Sequence, residues 1–360
     1  MKQYLVFKTG FFFCLSVLFM SIGCISLAQE AVSRAVGYLV QSIPAGQSRS
    51  FSIPFDPDAS SLPGASGRLT AVGPNYIENS GANWTPGAYS TSAAPYFVRI
   101  TSGAEEGRTF RITSPANTST RLYVDDDGLG LEKLSLATGD AGTTFEVIPA
   151  DTLATFFGTT LLPDSLVLQG AGDPTQADLV QVWSGTAWLS FYYNTAWRRW
   201  ARDTDVQGDP SRDDFFLRPD RGLMITRRGS TSLELAVIGR VLGTPQRAVH
   251  ARTDNALTFL ATMQPGDITL GQLRLQASDR SAGWRSSNDP SKADLLSVWS
   301  GATWLSFFYN DAAGYWQRVG DTSENRDGFV VRAGVPVFIQ RRAAAQSVAD
   351  RTIVFPAAVP

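Results

Sequence analysis

Apolar and polar residues alternate in short runs along most of this chain, and after the first 28 residues no long stretch repeats at helical spacing. The clearest run is Leu179-Val180-Gln181-Val182-Trp183, answered by Trp188-Leu189-Ser190-Phe191-Tyr192-Tyr193. Side chains alternate between the two faces of a strand. Between the runs, Gly185-Thr186 suits a two-residue type II′ turn with glycine first. That turn pairs Trp183 with Trp188, Gln181 with Ser190 and Leu179 with Tyr192. Val180, Val182, Leu189, Phe191 and Tyr193 then share one apolar face, and the two Trp, Gln181, Ser190 and Tyr192 share the other.

This hairpin occurs twice. Ala177-Asp178-Leu179 through Trp183-Ser184-Gly185 returns 116 residues later as Ala293-Asp294-Leu295 through Trp299-Ser300-Gly301. Trp188 through Asn194 maps onto Trp304 through Asn310, and Trp200 onto Trp316. At a spacing of 114, Arg212-Asp213, Arg218 and Arg227-Arg228 match Arg326-Asp327, Arg332 and Arg341-Arg342. The repeat cores are residues 149–229 and 265–342. A looser similarity links Gly37 through Phe55 with Gly239 through Ala261. On that reading the first copy carries an insertion at about 57–148. The insertion has its own strand signals at 97–100, 109–112, 122–124 and 144–148, separated by turn residues. The expected fold is all-β: two related antiparallel modules in tandem, sandwich or barrel-like, at 29–236 and 237–360, with a β-rich insertion in the first.

Residues 1–28 read as a secretory signal: Lys2 and Lys8, an apolar run from Phe11 to Ile25, and small residues before a cleavage point that leaves Gln29 first. Gly23-Cys24 offers a lipid-anchor alternative. The expected location is the periplasm, the outer surface or the extracellular medium. Cys14 and Cys24 both lie in the signal, so the exported chain has no disulfide and relies on core burial. Its charge balance, 29 basic against 33 acidic side chains, offers no basic footprint for nucleic acid.

Two readings compete for the outer hairpin faces. Trp183, Trp188, Tyr192 and Trp200, with Trp299, Trp304, Phe308 and Trp316, make a candidate platform for sugar rings. Alternatively, each Trp pair is a cross-strand stabiliser covered by another sheet or by the other copy. Other chemistry is sparse. His250 is the sole histidine, so any Ser-His-Asp arrangement must use it. Paired carboxylates for glycoside hydrolysis are Asp125-Asp126-Asp127, Glu105-Glu106 and Asp213-Asp214. Asp203, Asp205 and Asp209 lie in one loop, with Asp321, Glu324 and Asp327 in its counterpart, and calcium is the candidate ion.

Gly37-Tyr38-Leu39, Ile100-Thr101-Ser102-Gly103, Phe110-Arg111-Ile112, the paired Ala-Asp-Leu…Trp-Ser-Gly…Tyr-Asn units and the Arg-Arg endings together resemble an uncharacterised family of secreted β-rich proteins from Verrucomicrobia and related bacteria. The resemblance implies export and a β architecture, and brings no activity or catalytic residue. The expected function is that of a non-enzymatic cell-envelope or extracellular structural or binding protein, with polysaccharide as the sharpest candidate ligand. The alternatives are a secreted carbohydrate-active enzyme using paired carboxylates, or a self-assembling surface subunit.

Overall fold

The computed structural model describes residues 35–55, 66–90, 95–160, 166–251, 253–343 and 347–357. The signal reading at 1–28, with Cys14 and Cys24, lies outside them. The described chain is all-β, in antiparallel sheets joined by short turns.

β1 (Val36–Ile43) and β2 (Ser48–Phe51) come first. Seven strands follow: β3 (Ser66–Arg68), β4 (Ala71–Val72), β5 (Tyr76–Glu78), β6 (Tyr96–Ile100), β7 (Thr109–Ile112), β8 (Arg121–Asp125) and β9 (Thr144–Pro149). They form one sheet in the order β3-β9-β6-β7-β8-β5-β4. The four runs read as strands in the insertion are β6, β7, β8 and β9. Alternation explains them, because Val98, Ile100, Phe110, Ile112, Leu122, Val124, Phe145 and Val147 all enter one core.

The first repeat core gives α1 (Leu153–Phe157), β10 (Leu179–Trp183), β11 (Trp188–Asn194), β12 (Arg199–Arg202) and β13 (Leu223–Thr226), followed by β14 (Leu233–Arg240). Then come β15 (Gln246–Val249) and β16 (Leu257–Leu260). The second core gives β17 (Ile268–Thr269), α2 (Leu270–Leu273), β18 (Leu295–Trp299), β19 (Trp304–Asn310), β20 (Tyr315–Arg318), β21 (Val330–Val331) and β22 (Val337–Gln340). α3 (Val348–Arg351) and β23 (Thr352–Phe355) close the chain.

Two five-stranded sheets result, β12-β11-β10-β13-β2 and β20-β19-β18-β22-β16. Neither closes into a barrel among the described residues. Each begins with a one-turn helix under a capping box, Thr152 on Thr155 and Thr269 on Gln272. Each buries its apolar face in a separate core, one around Val180, Phe191, Trp200 and Ile225, the other around Leu296, Phe307, Trp316 and Ile339. A two-stranded ribbon lies over each core: β1-β14 contributes Leu235 and Val237, and β15-β23 contributes Ala248 and Ile353. The expected boundary at 236/237 falls inside β14. Gly37 and Gly239, aligned above as equivalents, instead face each other across the β1-β14 pair.

Candidate functional site

The two hairpins have the expected registers. Trp183 opposes Trp188 and Gln181 opposes Ser190, while Trp299 opposes Trp304 and Ser297 opposes Ser306. Gly185 and Gly301 take φ of +106° and +99° at the turns, a conformation costly for any residue with a Cβ.

The outer faces of these hairpins are not free platforms. Each faces the other sheet. Trp188 meets Phe259 and Phe338 at ring-centroid distances of 5.5 and 5.9 Å, and Trp183 meets Phe338 at 5.3 Å. Trp304 closes on the same two rings at 5.7 and 4.8 Å. The indole hydrogen bonds are reciprocal: Trp183 Nε1 donates to the carbonyl of Leu257 at the start of β16, and Trp299 Nε1 donates to that of Ser48 at the start of β2. Each hairpin therefore docks on the N-terminal strand of the other sheet. Backbone contacts repeat the exchange, with Ser52 N–H donating to Gly334 O and Ala261 N–H to Asp220 O. The four Trp are half-buried in this seam.

The other aromatics of the proposed platform lie elsewhere. Trp200 opposes Tyr193 and Trp316 opposes Tyr309, so pleating sends both indoles into the cores, where each is 0% exposed. Tyr192 and Phe308 are on the outer faces but buried. The segments ahead of β10 and β18 cover them, with Ala177 and Leu179 on Tyr192, and Ala293 and Leu295 on Phe308.

The aspartate loop is organised by arginine. Arg212 grips Asp205 through two hydrogen bonds of 2.9 and 2.8 Å, and this contact holds the Asp205 carboxyl below the usual carboxylate range. Asp209 accepts from Val206 N–H, and Asp203 is exposed. Arg326 takes the matching place, on Asp321 and Glu324. A guanidinium thus occupies carboxylate oxygens in each loop where the calcium reading put an ion. No group of three His, Cys, Asp or Glu among the described residues could hold a metal.

The paired carboxylates also separate into structural contacts. Asp213 caps Trp200 N–H at 2.8 Å, and Glu105 pairs with Arg108 at 2.8 Å. In the Asp125-Asp126-Asp127 turn, Asp125 and Asp126 accept backbone N–H groups and Asp127 pairs with Arg218. His250 is buried, with Nδ1 2.7 Å from Ala251 O and Nε2 3.1 Å from Ile339 O, so neither ring nitrogen faces a nucleophile.

Burial pushes the His250 pKa down to about 4 against the pull of those two carbonyls, and Arg341 and Arg221 add to the fall. An unfolded His titrates near 6.5. Between these values the unfolded state binds a proton that the folded state refuses, so His250 costs stability as pH falls from 6.5 to 4. The full cost is about 3 kcal/mol. Urea unfolding from pH 7.5 to 4 is expected to show the wild-type chain losing that much relative to His250→Gln. A wild-type-to-variant difference that stayed flat with pH would refute the assignment.

Sequence reasoning missed the role of two buried carboxylates. Asp178 accepts from Gln169, Arg228 and Gly229 N–H and from the Arg227 guanidinium. Asp294 accepts from Arg285 and Arg342 N–H and pairs with Arg341 at 2.7 Å. Burial raises the Asp294 carboxyl, opposed by those same partners. The signal was present: each Asp recurs with its Arg-Arg pair in both copies.

Two clefts flank the aromatic seam. The wide one, about 570 Å³, lies between hairpin β18-β19 and strands β1 and β2; Trp299, Gly301, Gln41, Arg49 and Arg332 help line it. The narrow one, about 230 Å³, lies between hairpin β10-β11 and strands β15 and β16; Trp183, Gly185, Thr258, Arg221 and Asp127 help line it. No protein-family model, curated protein or solved structure matches the chain.

Proposed function

We propose that the protein is an exported, non-enzymatic binding protein of the cell envelope or extracellular space, and that its ligand is a polysaccharide taken up in the wide cleft beside Trp299. The cleft carries this reading. It sets one half-buried indole among hydrogen-bonding side chains on a rigid pair of sheets, a combination suited to a ring with an apolar face and a polar rim. Several of the groups weighed for hydrolysis are held in structural contacts, with His250 on backbone carbonyls, Glu105 and Asp127 on arginines and Asp213 on the Trp200 N–H. The test is retention of the exported chain on a panel of polysaccharides, with reducing ends assayed in parallel. Retention without new reducing ends is expected. Release of reducing ends would favour the carbohydrate-active enzyme instead.

One observation favours a self-assembling subunit as a second reading. Val36, Tyr38 and Val40 are exposed on the outer face of β1, beside Ile238 of β14. Sedimentation across a concentration series distinguishes it: association abolished by Tyr38→Glu would support a second copy on this ribbon.

A further inference from the structure

The two clefts lie at related places in the sequence repeat, but among the described residues the chain brings a carboxylate to the repeat arginine beside only one of them. Asp127, in the acidic turn between β8 and β9, forms part of the wall of the narrow cleft. Arg218 holds the Asp127 carboxylate with both terminal nitrogens, at 2.7 and 2.8 Å, and also contacts Asp220 at 2.9 Å. Arg351 donates to the carbonyls of Asp127 and Gly128 at 2.9 and 3.0 Å. The molecule thus contains one worked case of the repeat arginine, beside this type of cleft, binding a carboxylate.

The repeat counterpart of Arg218 is Arg332, which lines the wide cleft. Arg332 is exposed and has no carboxylate partner among the described residues. The position of Asp220 is taken by Gly334, so the neutralising carboxylate within the copy is missing too. A second guanidinium, Arg49, lines the same cleft. Its hydrogen bonds among the described residues go to the carbonyls of Ser48 and Gly301, at 3.3 and 3.4 Å. It lies so close to the hairpin tip that a Cβ at Gly301 would fall 2.4 Å from Arg49 Nη1. Gln41, on the same wall, donates to Ser50 O at 2.9 Å and keeps a buried Oε1 without a partner, an acceptor for a hydroxyl. Asp267 is the cleft's one acidic side chain, and it accepts from Ala333 N–H.

We infer that the wide cleft selects an acidic polysaccharide, with Arg332 and Arg49 gripping uronate carboxylates, Gln41 accepting from a ring hydroxyl, and Trp299 flanking the sugar. This rests on the polysaccharide reading and narrows it to a chemical class. A guanidinium matches a carboxylate through two parallel N–H donors, as Arg218 does with Asp127. The chain is net acidic overall, so retention of a polyanion would report the cleft and not a general positive field.

The experiment is affinity electrophoresis of the exported chain through gels containing polygalacturonate, alginate or neutral dextran, with and without soluble poly-aspartate. Arg332→Gln and Arg49→Gln are compared with wild type and with Arg274→Gln, a surface arginine outside the cleft. Thermal melts confirm that each variant is folded. Wild type and Arg274→Gln are expected to be retarded by a polyuronate and not by dextran. Each cleft variant should weaken that retardation about tenfold or more, the loss of one charge-assisted contact. Equal retardation by dextran, or cleft variants that bind polyuronate like wild type, would overturn the acidic class while leaving the polysaccharide reading intact. Retardation abolished by equimolar poly-aspartate residues would make the ligand an acidic peptide and overturn the inference. No retardation in any gel would remove the polysaccharide reading together with this one.

Discussion

Asp178→Ala is expected to lower the stability of the fold by about 3–5 kcal/mol, the usual cost of removing one partner from a buried ion pair. The carboxylate is fully buried and joins three backbone N–H groups and one guanidinium. Its removal leaves Gln169, Arg228 and Gly229 N–H without an acceptor, and Arg227 without a counter-charge in a site only 11% exposed. Water can reach little of this, so the desolvation cost stays uncompensated. Asp178→Asn keeps an acceptor of the same shape and gives up the charge, so about half the loss is expected. In a chain of this size the alanine variant should melt roughly 10 °C lower. Asp294→Ala should behave alike, since Asp294 holds the same place in the second sheet. Equal melting temperatures for wild type and Asp178→Ala would show that the carboxylate is not the clamp that ties β10 to the end of β13.

This clamp shows where sequence reasoning reached and where it stopped. Alternation and turn residues located the two hairpins and four strands of the insertion, because pleating and the glycine turn are local and nothing distant overrides them there. The hairpin register followed from Gly185 and Gly301 alone. The partner of each outer face was a different matter. Trp183 and Trp188 had the same pattern whether they met a sugar or another sheet. The deciding residues, Phe259 and Phe338, are not shared between the copies. Their counterparts in the first copy are Ser50 and Met224, so comparing the copies hid the apolar half of the seam. The same limit applied to Trp200 and Trp316. Their face depends on the pairing of β12 with β11 and of β20 with β19, which is set by turns whose length the sequence pattern leaves open.

The polar repeats were legible as repeats but not as contacts. Asp205 and Asp321 read as calcium ligands because loop carboxylates cluster in either case. The arginines that satisfy them, Arg212 and Arg326, sit a few residues on and were counted as a separate motif. The contrast between Arg218 and Arg332 was invisible for a related reason. Both are conspicuous in the aligned copies, yet only the inserted sheet, absent from the second copy, brings Asp127 to one of them.

Phe338→Ala is expected to cost about 3–5 kcal/mol, as for other buried phenylalanines, and to act on the joint between the sheets more than on either sheet. The ring is 7% exposed and lies 4.5 Å from Phe259, 4.8 Å from Trp304, 5.3 Å from Trp183 and 5.9 Å from Trp188. Like Phe259, it touches aromatics from both hairpins, and it alone of the two also meets Trp183 among the described contacts. Its loss opens a cavity that the indoles cannot fill while Trp183 and Trp299 remain bonded to Leu257 and Ser48. Two readouts separate this from a local defect. The Trp fluorescence maximum should shift red as the seam admits water. A double-mutant cycle pairing Phe338→Ala with Trp188→Ala should show a coupling of about 1 kcal/mol or more, since their rings touch across the seam. Additive losses, with no spectral change, would mean that the two sheets do not pack on each other in solution. The Trp faces would then return as open platforms, and the wide cleft would lose the wall that places Trp299 beside Arg49.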